Sequence, residues 1–294
     1  MSVRLIFRLL KETFHEWQQD GASRLAAALA YYTIFSLAPL LIIAIAIAGA
    51  IFGEEAARGE IVGQIQGLVG TEGAKVIETA IQNASQPDVS SVASIISIIA
   101  LLFGASGVFA ELQESLNIIW DVKVKPKQGL MVIIRKRILS FSAVLGIGFL
   151  LLVSLIASAI LSAINTYFSG LLPGIPGIWR LVDFLFSFFS ITGMFALMYK
   201  FLPDVKIRWS DVWVGAIITA LLFTIGKSVL GIYLARGSFG STYGAAGSLV
   251  IILAWVYYSA QILFFGAEFT QVYARKFGGR ILPDKYATYA NRKS

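Results

Sequence analysis

Cysteine is absent from the 294-residue chain, and His15 is its single histidine. Those two shortages exclude a disulfide framework, a thiolate zinc centre, a cysteine nucleophile and any multi-histidine metal site. Charge is sparse as well: Asp, Glu, Lys and Arg make up 14% of the residues, against about 25% in an ordinary soluble domain. Apolar residues take the vacated share, at 57% with a mean hydropathy of +0.77. They fall in blocks of about 20 or more, the length that crosses the hydrocarbon core of a bilayer. The first 20 residues do not read as a cleaved signal peptide, because Arg8, Lys11, Glu12 and Glu16 interrupt them and no small-residue cleavage site follows. Targeting is expected to rest on the first span.

The blocks predict an all-α polytopic membrane bundle of about six transmembrane helices in one domain, 1–294. Spans are expected at 25–51, 92–110, 138–164, 181–199, 212–234 and 246–267. Before them, Val3, Phe7, Leu10, Phe14 and Trp17 recur at steps of three and four between charged residues, so 1–23 is expected to form an amphipathic helix along the membrane surface. Residues 53–90 carry too many charges for a span. There, Ile61, Ile65 and Leu68, then Val76, Ile77, Ala80 and Ile81, predict two short amphipathic helices on the outer face. Pro39 lies near the middle of the first span and leaves the carbonyl of Phe35 without its helical donor, which predicts a kink.

Lysine and arginine set the orientation, since cytoplasmic loops retain them. Segments 4–24, 123–137, 200–208 and 275–293 hold four, six, three and six of them, whereas the alternate side holds only Arg58, Lys75, Arg180 and Arg236. Both termini, including the tail 268–294, are therefore expected in the cytoplasm. A nucleic-acid binder would gather its charge into a patch on a folded domain, not alternate it loop by loop, so no nucleic-acid partner is expected.

Three segments carry a family resemblance: Asp20 to Pro39 (DGASRLAAALAYYTIFSLAP), Gly104 to Val122 (GASGVFAELQESLNIIWDV) and Gly240 to Gln271 (GSTYGAAGSLVIILAWVYYSAQILFFGAEFTQ). In order and spacing they resemble the YihY/BrkB family of bacterial inner-membrane proteins, over nearly the whole chain. That family often has a basic residue just after the GASG stretch, where Val108 stands here. The resemblance implies a six-helix inner-membrane fold. Some members are described as serum-resistance or virulence factors, and others bear the label ribonuclease BN. The residues oppose that label. Phosphodiester hydrolysis needs water-facing metal ligands or an acid/base pair, whereas this chain has one histidine and acids scattered over loops and helix ends.

Ionisable groups inside a membrane mark either a pathway or a paired structural site. Glu111, Glu114 and Asn117 recur at steps of three beyond the second span, where a carboxylate-rich face is expected, and Tyr257, Gln261 and Glu268 share a stripe on the sixth. Depth places these acids near the cytoplasmic boundary, where two readings stay open: carboxylates paired with Arg24, Lys200 or the basic loop, or a gate or cation site. Lys227 is truly intramembrane; it either snorkels outward or faces an internal cavity as a counter-charge. Gly226-Lys227-Ser228 mimics the end of a phosphate-binding loop, but Leu221 replaces the first glycine and the setting is an apolar helix, so nucleotide binding is rejected. Tyr32 and Ser36, with Tyr31 and Thr33, precede Pro39 and either line a cavity at the kink or hydrogen-bond a neighbouring helix.

The expected function is a transporter or flippase-like protein for a lipid or other amphiphilic, anionic substrate, without ATP or any cofactor or metal. Its candidate pathway residues are Lys227, Glu111, Glu114, Asn117, Gln261, Glu268, Tyr32, Ser36 and Pro39. The rival is a non-transporting scaffold or envelope-assembly factor; an intramembrane enzyme comes third, since no nucleophile and base pair up. Ala22, Ala26 and Ala30 form a small-residue face that permits a homo-oligomer as well as packing within the chain.

Overall fold

A computed structural model describes residues 3–84, 91–125, 176–236 and 247–290. The expected third span, most of the basic loop before it and the first residues of the Gly240 to Gln271 segment lie outside these residues. The helices are α1 (Val3–Gln19), α2 (Ala22–Phe52), α3 (Glu54–Ala84), α4 (Ser91–Ile119), α5 (Pro176–Phe201), α6 (Trp209–Arg236) and α7 (Gly247–Phe277). Four of the described helices have stretches long and apolar enough to cross a membrane: Ala22–Ala46, Phe184–Phe201, Trp209–Leu230 and Leu249–Phe277.

Large apolar side chains line the outside of the bundle as well as its core. On α6 the small Gly215, Ala216, Thr219 and Ala220 face inward, whereas Trp213, Ile217, Leu221, Ile225 and Val229 are exposed along one stripe. On α2, Ala22, Ala26 and Ala30 are buried, and Tyr31, Tyr32 and Phe35 point out. Left in water, five such α6 side chains would forfeit on the order of 10 kcal/mol of transfer free energy. In hydrocarbon they forfeit little, and the small residues let the backbones approach.

One end of the bundle gathers α1, the junctions after α4 and α5, and the C-terminal tail. α1 ends at Gly21, whose φ of 65° is the left-handed conformation that glycine adopts without strain, and the chain turns there into α2. Leu9 and Thr13 of α1 are buried, with Leu9 packed against Phe269 and Val272 of α7. Arg275–Glu16 at 2.7 Å and Lys276–Glu12 pair the same two helices. Two short antiparallel ladders tie the tail down: β1 (Val122–Val124) with β4 (Ala287–Tyr289), and β2 (Val205–Lys206) with β3 (Leu282–Pro283).

Two expectations change. A single helix, α3, covers the stretch where two short ones were expected, and its Ile61, Ile77 and Ile81 pack with Leu41 and Ile45 of α2. The last helix also runs ten residues past the predicted end of its span, to Phe277. That extension stays helical because it buries Glu268, Phe269, Thr270, Gln271 and Val272 against the rest of the bundle.

Candidate functional site

The polar stripe on α7 is the strongest candidate. Tyr257, Gln261, Glu268 and Gln271 lie within about 80° of one another around the helix, since the offsets left by steps of four, seven and three partly cancel. Depth differs along it: Tyr257 is exposed, Gln261 is half-buried, and Glu268 and Gln271 are 0% and 2% exposed. The Oε1 of Gln261 is buried without a hydrogen-bond partner among the described residues. Glu268 is thus covered by protein on every side, because the end of α7 is enclosed by the bundle.

Glu111, Glu114 and Asn117 do not form one carboxylate face. Each step of three turns the helix by about 60°, which spreads the trio over a third of its circumference. Glu114 is exposed, Glu111 half-buried and Asn117 buried. Among the described residues neither glutamate forms an ion pair. Lys200, one expected partner, instead donates to the carbonyl of Ile207 and sits 5.5 Å from the centre of the Trp209 ring. Glu111 lies just past the apolar run ending at Ala110; burial, and then the nearby Glu114, push its carboxyl above the ordinary range.

Tyr32, Ser36 and Pro39 sit on a packing seam with α4. Ser36 Oγ donates to the carbonyl of Gly104 at 2.6 Å. A Cβ on Gly104 would approach Pro39 Cγ to 3.2 Å, and one on Gly107 would approach Ser36 Oγ to 3.3 Å and Tyr32 Cδ1 to 3.9 Å. The GASG stretch is therefore the groove that receives the proline-bearing part of α2, and Ser36 follows the neighbour-bonding alternative. Lys227 is exposed on α6 beside exposed Ile225 and Val229.

Sequence reasoning missed a second seam and a hub. Tyr199 of α5 donates its hydroxyl to the carbonyl of Leu263 on α7 at 2.8 Å and lies 3.0 Å from Thr219 Oγ1 of α6, binding three helices at one buried point. Its space exists because residue 266 is glycine: a Cβ there would come within 2.6 Å of the Tyr199 hydroxyl. At the terminus-bearing end, Asp121 holds a φ of 54° just beyond α4. Its carbonyl accepts from Ala290 N at 2.7 Å and its Oδ2 from Gln271 Nε2 at 3.0 Å. No spacing rule joins residues 150 positions apart, so only the three-dimensional fold shows this contact.

The family model described as virulence factor BrkB matches residues 13–288. Over 91% of the chain it is 28% identical to a UPF0761 membrane protein of Verminephrobacter eiseniae, of which it covers 62%. It is 27% identical to one of Alcanivorax borkumensis, covering 91% of this chain and 60% of that protein. A UPF0761 membrane protein of Mannheimia succiniciproducens is 27% identical, with 90% and 89% covered. The chain thus spans about 60% of the length of the first two relatives. No solved structure matches it. The outward-facing apolar stripes, the four long apolar helices among the described residues and these relatives agree: the chain belongs to the BrkB family of membrane proteins.

Proposed function

We propose that this protein is a six-span inner-membrane protein, with both termini in the cytoplasm, that moves a lipid or other anionic amphiphile across or within the bilayer. It is non-enzymatic, uses no ATP, and takes any energy it needs from an ion gradient. One observation carries the reading: the polar stripe on α7 passes from exposed Tyr257 through Gln261 to fully buried Glu268 and Gln271. Burying a carboxylate within a membrane bundle is costly, and such groups mark a pathway or a paired structural site; continuity with Tyr257 and Gln261 along one stripe favours the pathway. The alternation of basic segments along the chain supports the orientation.

The test is flux in proteoliposomes of purified protein, with fluorescent analogues of phosphatidylglycerol and phosphatidylcholine. The expected result is faster movement of the anionic lipid than in empty vesicles, reduced at least about tenfold by Glu268→Gln. Equal rates in loaded and empty vesicles for both lipids would overturn the reading.

A further inference from the structure

Beside the last turns of α7 lies a cavity of about 340 Å³, walled by Trp120, Gln271, Arg275, Arg280 and Tyr289 among others. We propose that it binds a small phosphate-bearing molecule that also carries a hydroxyl or amine, the chemistry shared by a phospholipid headgroup and a free phosphomonoester. Its volume lies at the low end of the roughly 300–1,000 Å³ of small-molecule sites, so it suits a headgroup and not a whole lipid.

The lining specifies both halves of that ligand. Trp120 and Gln271 are each 2% exposed, and each has one polar atom without a hydrogen-bond partner among the described residues: the donor Nε1 of Trp120 and the acceptor Oε1 of Gln271. The Gln271 amide is held by another residue of the wall, Asp121, whose Oδ2 accepts from Nε2 at 3.0 Å, so this acceptor is fixed in place. Leaving such groups unmade is unfavourable, and a ligand with both a donor and an acceptor satisfies both. Two guanidinium groups add the preference for an anion. Arg280 has no ion-pair or hydrogen-bond partner among the described residues, and Arg275 engages Glu16 through Nη2 while keeping further N–H donors. Arginine's planar fork matches phosphate oxygens in pairs. A bare carboxylate or sulfate would satisfy the cations but give nothing to Gln271 Oε1.

Ala274, Ile281, Gly278, Gly279 and Asp121 form the remaining wall; a side chain at either glycine would strike Asp211 or Arg208, and one oxygen of the Asp121 carboxylate is taken up by the Gln271 amide. The site stands independently of the transport reading, since its readout is binding.

Two probes test it on the full purified chain. In detergent, sn-glycerol 3-phosphate is titrated calorimetrically, with glycerol as the control. In parallel, retention of phosphatidylglycerol against phosphatidylcholine is counted by native mass spectrometry after delipidation. Saturable one-to-one binding of at least one phosphate probe is expected. Binding of glycerol 3-phosphate identifies a free phosphomonoester site, and retention of phosphatidylglycerol alone identifies a headgroup site. Arg280→Gln, at an exposed position that leaves the core intact, should weaken binding about tenfold, and Trp120→Phe, which keeps a ring but deletes the donor, should weaken it severalfold. The proposal is overturned if neither probe binds, or if binding is unchanged in both variants.

Discussion

Asn117 and Asp204 form a reciprocal pair: the side-chain Nδ2 of Asn117 donates to Asp204 Oδ2 at 2.9 Å, and the backbone N–H of Asp204 donates to Asn117 Oδ1 at 2.8 Å. The Asp204 carbonyl then accepts from Asp284 N at 2.8 Å, so the end of α4, the turn after α5 and the C-terminal tail meet through two residues. Asn117 is thus a bracket between helices, not a member of a carboxylate face.

Asn117→Ala removes both bonds of that pair and should destabilise the protein by about 2–3 kcal/mol, read as a lower Tm in detergent. Asn117→Asp should cost more at neutral pH, because it sets a second carboxylate against Asp204. An unchanged Tm in Asn117→Ala would show that the bracket carries no stability.

Gly266 and Gly193 make a matched pair for testing the helix seam. A Cβ at 266 would crowd Thr219 and the Tyr199 hydroxyl, whereas one at 193 meets nothing within 4 Å. Gly266→Ala should therefore destabilise by about 1–3 kcal/mol or more through overpacking. Gly193→Ala should be neutral or stabilise by up to about 1 kcal/mol, because alanine is the better helix former. Thermal unfolding of the two variants in parallel decides it; equal shifts would contradict the seam.

The apolar runs made α2, α5, α6 and α7 legible in the sequence, because length in hydrocarbon is a local property that composition records directly. The end of α7 was not legible. Residues 268–277 look polar enough for a tail, and only α1 docking through Leu9 shows why they remain helical and enclosed. The ladders of two and three residues join positions about 80 to 165 apart, with no local pattern to mark them. At the candidate site the α7 stripe was legible from spacing, but its change in depth was not. Depth depends on which neighbour covers each turn, and for Gln271 the determining partner is Asp121 on a distant segment.

Glu111 should make stability depend on pH. Its carboxyl is raised above the ordinary value, so the folded state holds the proton more tightly than the unfolded chain. The stabilisation is fully present below the unfolded value and is lost as pH rises through the folded one. Tm should accordingly fall from acidic toward neutral pH, and Glu111→Gln should flatten that slope and raise Tm at neutral pH. Glu114→Gln should flatten it in part, because the neighbouring charge is the second cause. A slope identical in wild type and Glu111→Gln would count against this assignment.

Docking of α1 should depend on packing more than on charge. Leu9 is 1% exposed between Phe269 and Val272, and truncating such a side chain costs about 2–5 kcal/mol. The pairs Arg275–Glu16 and Lys276–Glu12 are partly exposed, and each contributes at most about 1 kcal/mol. Leu9→Ala should strip hydrogen-exchange protection from 3–19, whereas Glu12→Gln should change it little. The reverse ranking would show that the ion pairs hold the helix.

Topology can be tested cleanly because the chain lacks cysteine, so one introduced thiol is the only one that reacts. Lys206 lies in β2 at the end of the bundle shared with the C-terminal tail, and Thr79 is exposed on α3. With both termini inside and 53–90 outside, a membrane-impermeant maleimide should label Thr79→Cys in intact cells and leave Lys206→Cys unmodified until the membrane is opened. Lys206 belongs to one of the basic segments that the proposed orientation puts inside, so its protection tests that orientation directly. Labelling of Lys206→Cys in intact cells, with Thr79→Cys protected, would invert the protein and move the Trp120–Arg280 cavity to the outer face.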